Sequence, residues 1–316
     1  MSRMQVLVCG SNYGRTYIAA IARQPRQYQL AGILANGSLR SQRLALLNGV
    51  PLYLSADEIP DKIDLACAAM SSAAFPVVLQ LIRRGIHVLC EHPYPAGQLK
   101  KALDLAHKHN VHFQVNGHFA NLPAPRGFIA ECRQAAKLAP ATFVEAMATE
   151  RSLYAALDIL AAAMGKFRLS RVRVLSRWSG FVLLEGALGK TPAHFLVQVS
   201  GGERAAKLPD GSPGYMLDQR LTVAFPSGLL TMLSIAGPVL WSRTPVNTQN
   251  DKTLWKILGG PTTQSVAELR DQRIRANISA LNMIGQSIMG RGTPEMQQPQ
   301  HILQVSKACE LIGRLL

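Results

Sequence analysis

No carboxylate occurs before Asp57 in this chain of 316 residues, and acidic groups stay scarce: 19 against 34 lysines and arginines, a formal charge of +15. No apolar run reaches the ~18–20 residues that a membrane helix needs, because Ser, Arg or His interrupts each candidate. The chain passes from Met1-Ser2-Arg3 straight into a short apolar run at 4–9, with no longer hydrophobic leader and no cleavage site. A secretory signal is therefore not expected, and the cytoplasm is the expected compartment. Five cysteines, at 9, 67, 90, 132 and 309, include no C-x-x-C clip. That spacing predicts buried free thiols rather than a disulfide framework, and no metal site.

What is present describes a globular chain: 48% hydrophobic and 17% charged residues, with enough length for two domains. The positive surplus favours an anionic partner. Its densest groups, Arg83-Arg84, Lys100-Lys101 and the alternation Arg168, Arg171, Arg173, Arg177, match no nucleic-acid-binding motif, so no nucleic acid and no membrane is expected.

Strand-like runs at 4–10, 28–34, 51–54, 64–70, 86–90 and 111–115 alternate with helical runs at 13–23, 41–48, 75–84 and 99–109. That order predicts stacked βαβ units on a doubly wound parallel sheet. The runs at 4–9, 64–70 and 86–90 are almost wholly apolar, as expected where helices cover both faces. Beyond about residue 117 the strands lengthen and several alternate: 142–149, 169–178, 194–200, 217–225 and 229–236, the last two joined through Pro226-Ser227-Gly228. One apolar helix at 153–164 lies between the first two. A Gly- and Pro-rich loop is predicted over 201–214, helices over 264–289 and 301–316, and a linker over 290–299. The expected fold class is α/β: a Rossmann-type domain over 1–117, then an α+β domain over 118–316 with a mostly antiparallel sheet.

The first strand ends in Gly10-Ser11-Asn12-Tyr13-Gly14-Arg15, directly before a helix. A tight glycine turn there presents backbone N–H groups and a helix N-terminus to a pyrophosphate. The match to G-x-G-x-x-G is incomplete, since Asn12 replaces the middle glycine. About 20 residues on, where an NAD site carries a carboxylate for the ribose 2′-hydroxyl, the chain reads Ala35-Asn36-Gly37-Ser38-Leu39-Arg40-Ser41-Gln42-Arg43. Hydroxyls and guanidinium groups suit a 2′-phosphate, so Ser38, Arg40, Ser41 and Arg43 predict NADP(H).

Val88-Leu89-Cys90-Glu91-His92-Pro93, together with the glycine turn, 64–72 and Arg84-Gly85-Ile86-His87-Val88, resembles the Gfo/Idh/MocA oxidoreductases. Their fifth strand ends in Glu-Lys-Pro, with a cis-proline turn and the lysine facing the nicotinamide. The resemblance implies that Glu91, His92 and Ser71 border the cofactor. Three departures narrow it. His92 stands in place of the lysine. Ala155 replaces a histidine that the family's sugar dehydrogenases carry three residues before the aspartate, here Asp158. The loops around Gly10–Gly14 and 35–41, with Glu91-His92-Pro93, look like the thiazolinyl imine reductases of pyochelin- and yersiniabactin-like siderophore assembly. Those enzymes use NADPH to reduce a thiazoline C=N bond on an intermediate tethered to a nonribosomal peptide synthetase. The resemblance also implies a homodimer, and places Phe119 where these reductases carry a tyrosine.

The chemistry asks for a hydride to carbon and a proton to nitrogen, and a histidine titrates in the right range to exchange that proton. His92, just past a parallel strand, is the first candidate. His118 beside Phe119, Tyr94 and Asp158 are the others. Two alternatives stand beside imine reduction: another NADP-dependent dehydrogenase acting on a free small molecule, and a catalytically silent NADP sensor.

Overall fold

The computed structural model describes residues 3–165, 167–178, 180–199, 219–243, 253–259 and 264–316. In chain order the regular elements are β1 (Met4–Cys9), α1 (Gly14–Ala22), β2 (Tyr28–Leu34), α2 (Leu39–Asn48), β3 (Leu52–Tyr53), β4 (Leu65–Ala68), α3 (Phe75–Arg83), β5 (His87–Cys90), α4 (Ala96–Lys108) and β6 (Phe113–Val115). They continue with α5 (Pro123–Leu138), β7 (Phe143–Thr149), α6 (Leu153–Met164), β8 (Leu169–Trp178), β9 (Phe181–Leu188), β10 (Thr191–Gln198), β11 (Arg220–Phe225), β12 (Gly228–Met232), β13 (Val239–Arg243), β14 (Trp255–Gly259), α7 (Val266–Ile288) and α8 (Pro299–Gly313). Two compact units result, Met1–His118 with Arg270–Leu303, and Phe119–Leu269 with Gln304–Leu316.

The first unit holds a six-stranded sheet in the order β3-β2-β1-β4-β5-β6, parallel throughout. The chain runs outward from β1 through β2 to β3 and then returns to β4 on the other side of β1. The order thus reverses between β1 and β4, the switch point at which open α/β sheets bind ligands. Val6, Leu7, Val8 and Cys9 are all fully buried, because helices cover both faces of β1. Tyr17 and Ile21 of α1, at helical spacing, join the same core.

The sequence reading assigned everything after residue 117 to the second domain; the structure groups Arg270–Leu303 with the first unit. Ala280, Leu281 and Ile284 of α7 complete the core around Val6, Tyr17 and Tyr28, and the Tyr28 hydroxyl donates to the Leu281 carbonyl at 2.8 Å. Full burial of each such Leu or Ile is worth ~1.5–3 kcal/mol, so α7 is held there by apolar area.

The second unit holds an eight-stranded sheet in the order β14-β13-β12-β11-β7-β10-β9-β8. Neighbouring strands are antiparallel except β7 and β10, which pair in parallel. The expected α/β class, a parallel Rossmann sheet followed by a mostly antiparallel one, is borne out. The sequence reading missed β9, β13, β14 and α5. Helix α5 was obscured by Pro123, Pro125 and Gly127; Pro123 opens its first turn, where a missing N–H costs nothing. The loop predicted over 201–214 lies outside the described residues.

Candidate functional site

The glycine turn is built as phosphate chemistry requires. Gly10 adopts φ +97°, and a Cβ there would run into the Ala69 carbonyl oxygen at the end of β4. No other residue fits that position without moving the backbone. Gly14 serves a different need: a Cβ would lie 2.8 Å from Val8 Cγ1, so its absence lets α1 pack against β1. Helix α1 carries no acidic residue in its first turn, which leaves its positive end available to an anion.

A cavity of about 470 Å³ opens at this turn, bordered by Gly10, Ser11, Asn12, Asn36, Arg40 and Ser71 among others, with no carboxylate in its wall. Arg40 Nε donates to Ser11 Oγ at 3.2 Å, bringing the guanidinium to the mouth of the glycine turn. The other residues predicted to hold a 2′-phosphate lie differently. Ser38 is the N-cap of α2 and accepts from the Ser41 N–H at 3.4 Å. Ser41 is fully buried, its hydroxyl donating to the Ser38 carbonyl at 2.7 Å. Arg43 is exposed and does not border the cavity. Of the predicted set, Arg40 alone faces the cavity.

A second cluster forms where β5 and β6 end side by side. Cys90 pairs with Val115, so the next residues, Glu91 and Asn116, emerge together. Tyr17 donates to Glu91 Oε1, and Asn116 Nδ2 donates to the same oxygen at 2.6 Å. Burial pushes the Glu91 carboxyl from its ordinary 4.5 up to about 7, against these two hydrogen bonds, which favour the anion. His92, whose bond to Pro93 is cis, and the buried His118 complete the group: one donor atom from each of Glu91, His92 and His118 lies within 4.8 Å of the others. Burial holds His118 well below its ordinary 6.5, with His92 and Arg273 pushing the same way, so its ring is neutral at pH 7.

Two histidines and a carboxylate at this spacing are also a donor set for a divalent metal, where the sequence predicted none. Tyr17 and Asn116 occupy Glu91 Oε1, and the Tyr13 hydroxyl lies 2.9 Å from His118 Nε2. Tyr13, predicted to lie with the phosphate loop, thus turns its hydroxyl toward His118. Tyr94 is buried on Phe75, and its hydroxyl donates to the Met70 and Ser71 carbonyls at 3.1 and 3.3 Å, which anchors the loop. Asp158 belongs to the second unit, where it is buried on α6. Sequence reasoning gave Tyr17 and Asn116 no role at the site and passed over Asn277, which joins this cluster from α7.

Residues 4–117 match the oxidoreductase family with NAD-binding Rossmann fold, Gfo/Idh/MocA. Over those residues the chain is similar to the nucleotide-binding domain of that family. None of the curated proteins matches the sequence. Among solved structures, UDP-N-acetylglucosamine 3-dehydrogenase GnnA from Acidithiobacillus ferrooxidans superposes with a TM-score of 0.74 at 13% identity, covering 100% of this chain and 98% of its own. GenD2 from gentamicin A biosynthesis, in complex with NAD, gives 0.72 at 17% identity, with 100% and 94% covered. An oxidoreductase from Agrobacterium radiobacter, in complex with NAD+, L-tartaric acid and magnesium, gives 0.72 at 11%, with 99% and 96% covered. At these identities the likeness shows the fold alone, a parallel Rossmann sheet followed by a mostly antiparallel one. Among the described residues no helix is long and apolar enough to cross a membrane.

Proposed function

We propose that this chain is an NADPH-dependent reductase of the C=N bond of a thiazoline ring, acting on an intermediate tethered to a carrier domain of a nonribosomal peptide synthetase. The observation that carries the reading is His92, just beyond β5 and within 4.8 Å of Glu91 and His118 at their donor atoms. When bound, NADPH supplies the hydride. His92 passes a proton toward the substrate nitrogen, and Glu91, titrating near neutrality, renews it. The residues present fit the cofactor: Gly10 leaves room for a phosphate, Arg40 offers a guanidinium, and no carboxylate opposes a 2′-phosphate in the cavity. Asn116 Oδ1, buried with no hydrogen-bond partner, is an acceptor suited to an amide N–H such as that of a carboxamide.

Ala155 in place of the sugar dehydrogenases' histidine and His92 in place of their lysine favour an imine over a sugar. The charge of +15 favours an acidic carrier domain as partner. A homodimer belongs to the same proposal, supported by exposed Leu229, Trp255 and Ile257 on the second unit's strands. The second reading, oxidation of a free sugar-like alcohol, draws on the dehydrogenase named among the fold neighbours.

The test is titration with NADPH and NADH, followed by nicotinamide fluorescence, on the parent and on Arg40→Ala. NADPH is expected to bind at least tenfold more tightly, and Arg40→Ala to remove roughly 1.5–3 kcal/mol of that preference while sparing NADH. Equal affinities in the parent overturn the cofactor assignment. Turnover of a free polyol, but not of a carrier-bound thiazoline, overturns the substrate.

A further inference from the structure

Asn277 sits in the middle of α7, fully buried, 161 residues along the chain from its partner Asn116. Its amide has one possible orientation. The Arg273 carbonyl, an acceptor only, lies 2.9 Å from Nδ2, which fixes the nitrogen on that side. The same nitrogen points its second hydrogen at the Tyr13 hydroxyl oxygen, 3.3 Å away. Oδ1 then faces Asn116 Nδ2 at 2.8 Å, and Asn116 is itself oriented by Glu91 Oε1. The chain of bonds is thus anchored at the Arg273 carbonyl, which only accepts, and ends on Glu91 Oε1.

That polarity has a consequence for His118. With a Tyr13 lone pair occupied by the Asn277 N–H, the Tyr13 O–H is left to donate, and its nearest acceptor is His118 Nε2 at 2.9 Å. The ring also donates to the Asn116 backbone. We infer that Asn277 is a positioning residue: it fixes the direction of the bonds through Tyr13, so that His118 carries its proton on Nδ1 and accepts at Nε2. Both ring nitrogens are then occupied, and the histidine that exchanges a proton with substrate is His92. The charged and titratable groups facing His118 are His92, Arg273, Tyr13 and Glu91.

The test is nitrogen-15 NMR of the whole protein labelled at its 8 histidines, with His118 assigned by a His118→Gln variant. The parent is expected to show the Nδ1–H form. In Asn277→Asp the new carboxylate takes the Tyr13 O–H, the phenol oxygen turns its lone pairs to His118, and the Nε2–H or doubly protonated form is expected. Should that variant fold poorly, Tyr13→Phe, which removes only the donor, is expected to mix the two forms. An Nε2–H form in the parent, or an unchanged spectrum in both variants, overturns the inference. A kinetic arm rests on the reductase reading: Asn277→Asp is expected to lower kcat roughly ten- to a hundredfold with KM unchanged, and to move the acid limb of the pH profile upward. A parent that binds no nicotinamide cofactor refutes that reading and leaves the NMR result to decide the tautomer.

Discussion

Replacing Glu91 by Gln should stabilise the first unit at alkaline pH and leave it unchanged at acid pH. The amide keeps an oxygen to accept from Tyr17 and Asn116, so the packing and both hydrogen bonds survive. What disappears is the cost of holding a carboxylate in a buried place. The Glu91 carboxyl titrates at about 7 in the fold against an ordinary 4.5. Because the folded value is the higher one, the native state keeps its proton more tightly than the unfolded chain does. The associated stability is therefore complete below about pH 4.5 and is lost as pH rises through about 7. Roughly two and a half pH units at ~1.4 kcal/mol each give a loss of about 3 kcal/mol by pH 8.5, which Glu91→Gln escapes.

The assay must report on the right unit. All three tryptophans, Trp178, Trp241 and Trp255, lie in the second unit, so tryptophan fluorescence follows the wrong one. Amide hydrogen exchange in β1, β4 and β5 reads the opening of the first. The ratio of exchange rates, parent to variant, cancels the intrinsic dependence of exchange on pH. It is expected to rise about a hundredfold between pH 5 and pH 8.5, the equivalent of about 3 kcal/mol. A ratio that stays constant over that range would show that Glu91 does not titrate near neutrality, and would remove it as the proton reserve behind His92.

Gly10→Ala should abolish NADPH binding and lower stability by more than about 1 kcal/mol, since it meets both a positive φ and the Ala69 carbonyl; retained binding in a fluorescence titration would show that the turn does not cradle the phosphate. Tyr94→Phe should cost ~1 kcal/mol in thermal unfolding and leave kcat within about twofold, because the hydroxyl is spent on the Met70 and Ser71 carbonyls. A large fall in kcat with cofactor binding intact would instead restore Tyr94 as a proton donor.

What was legible in the sequence was whatever the backbone dictates locally. Gly10 and Gly14 stood out because a turn between a strand and a helix has few solutions, and each proved to exclude a Cβ for its own reason. Glu91 and His92 were legible because the ends of parallel strands gather on one edge of the sheet. The residues grouped for a 2′-phosphate were drawn together through an error of helix phase. A helix beginning at residue 41 would have left Ser38 and Arg40 in the loop before it, with Ser41 at its exposed start. With Ser38 as N-cap and α2 starting at Leu39, Ser41 falls in the first turn and turns inward, while Arg40 remains at the cavity. Asn277 left no local signal: it occupies a mid-helix position, and its meaning depends on a contact made 161 residues away.

The two titratable groups flanking His92 are displaced in opposite directions, and both displacements lead to neutrality. Burial raises the Glu91 carboxyl to about 7 and depresses His118, so at pH 7 the histidine is neutral and the carboxyl about half ionised. Reduction of a C=N bond consumes a proton along with the hydride, and a carboxyl poised near 7 behind a histidine can supply one. About half ionised at pH 7, the same carboxyl can also accept the proton that oxidation of an alcohol releases, and a lysine in place of His92 would hold a cation beside Glu91 and pull its carboxyl down toward the ordinary range. A histidine where the family carries lysine and the elevated carboxyl are therefore two parts of one electrostatic arrangement.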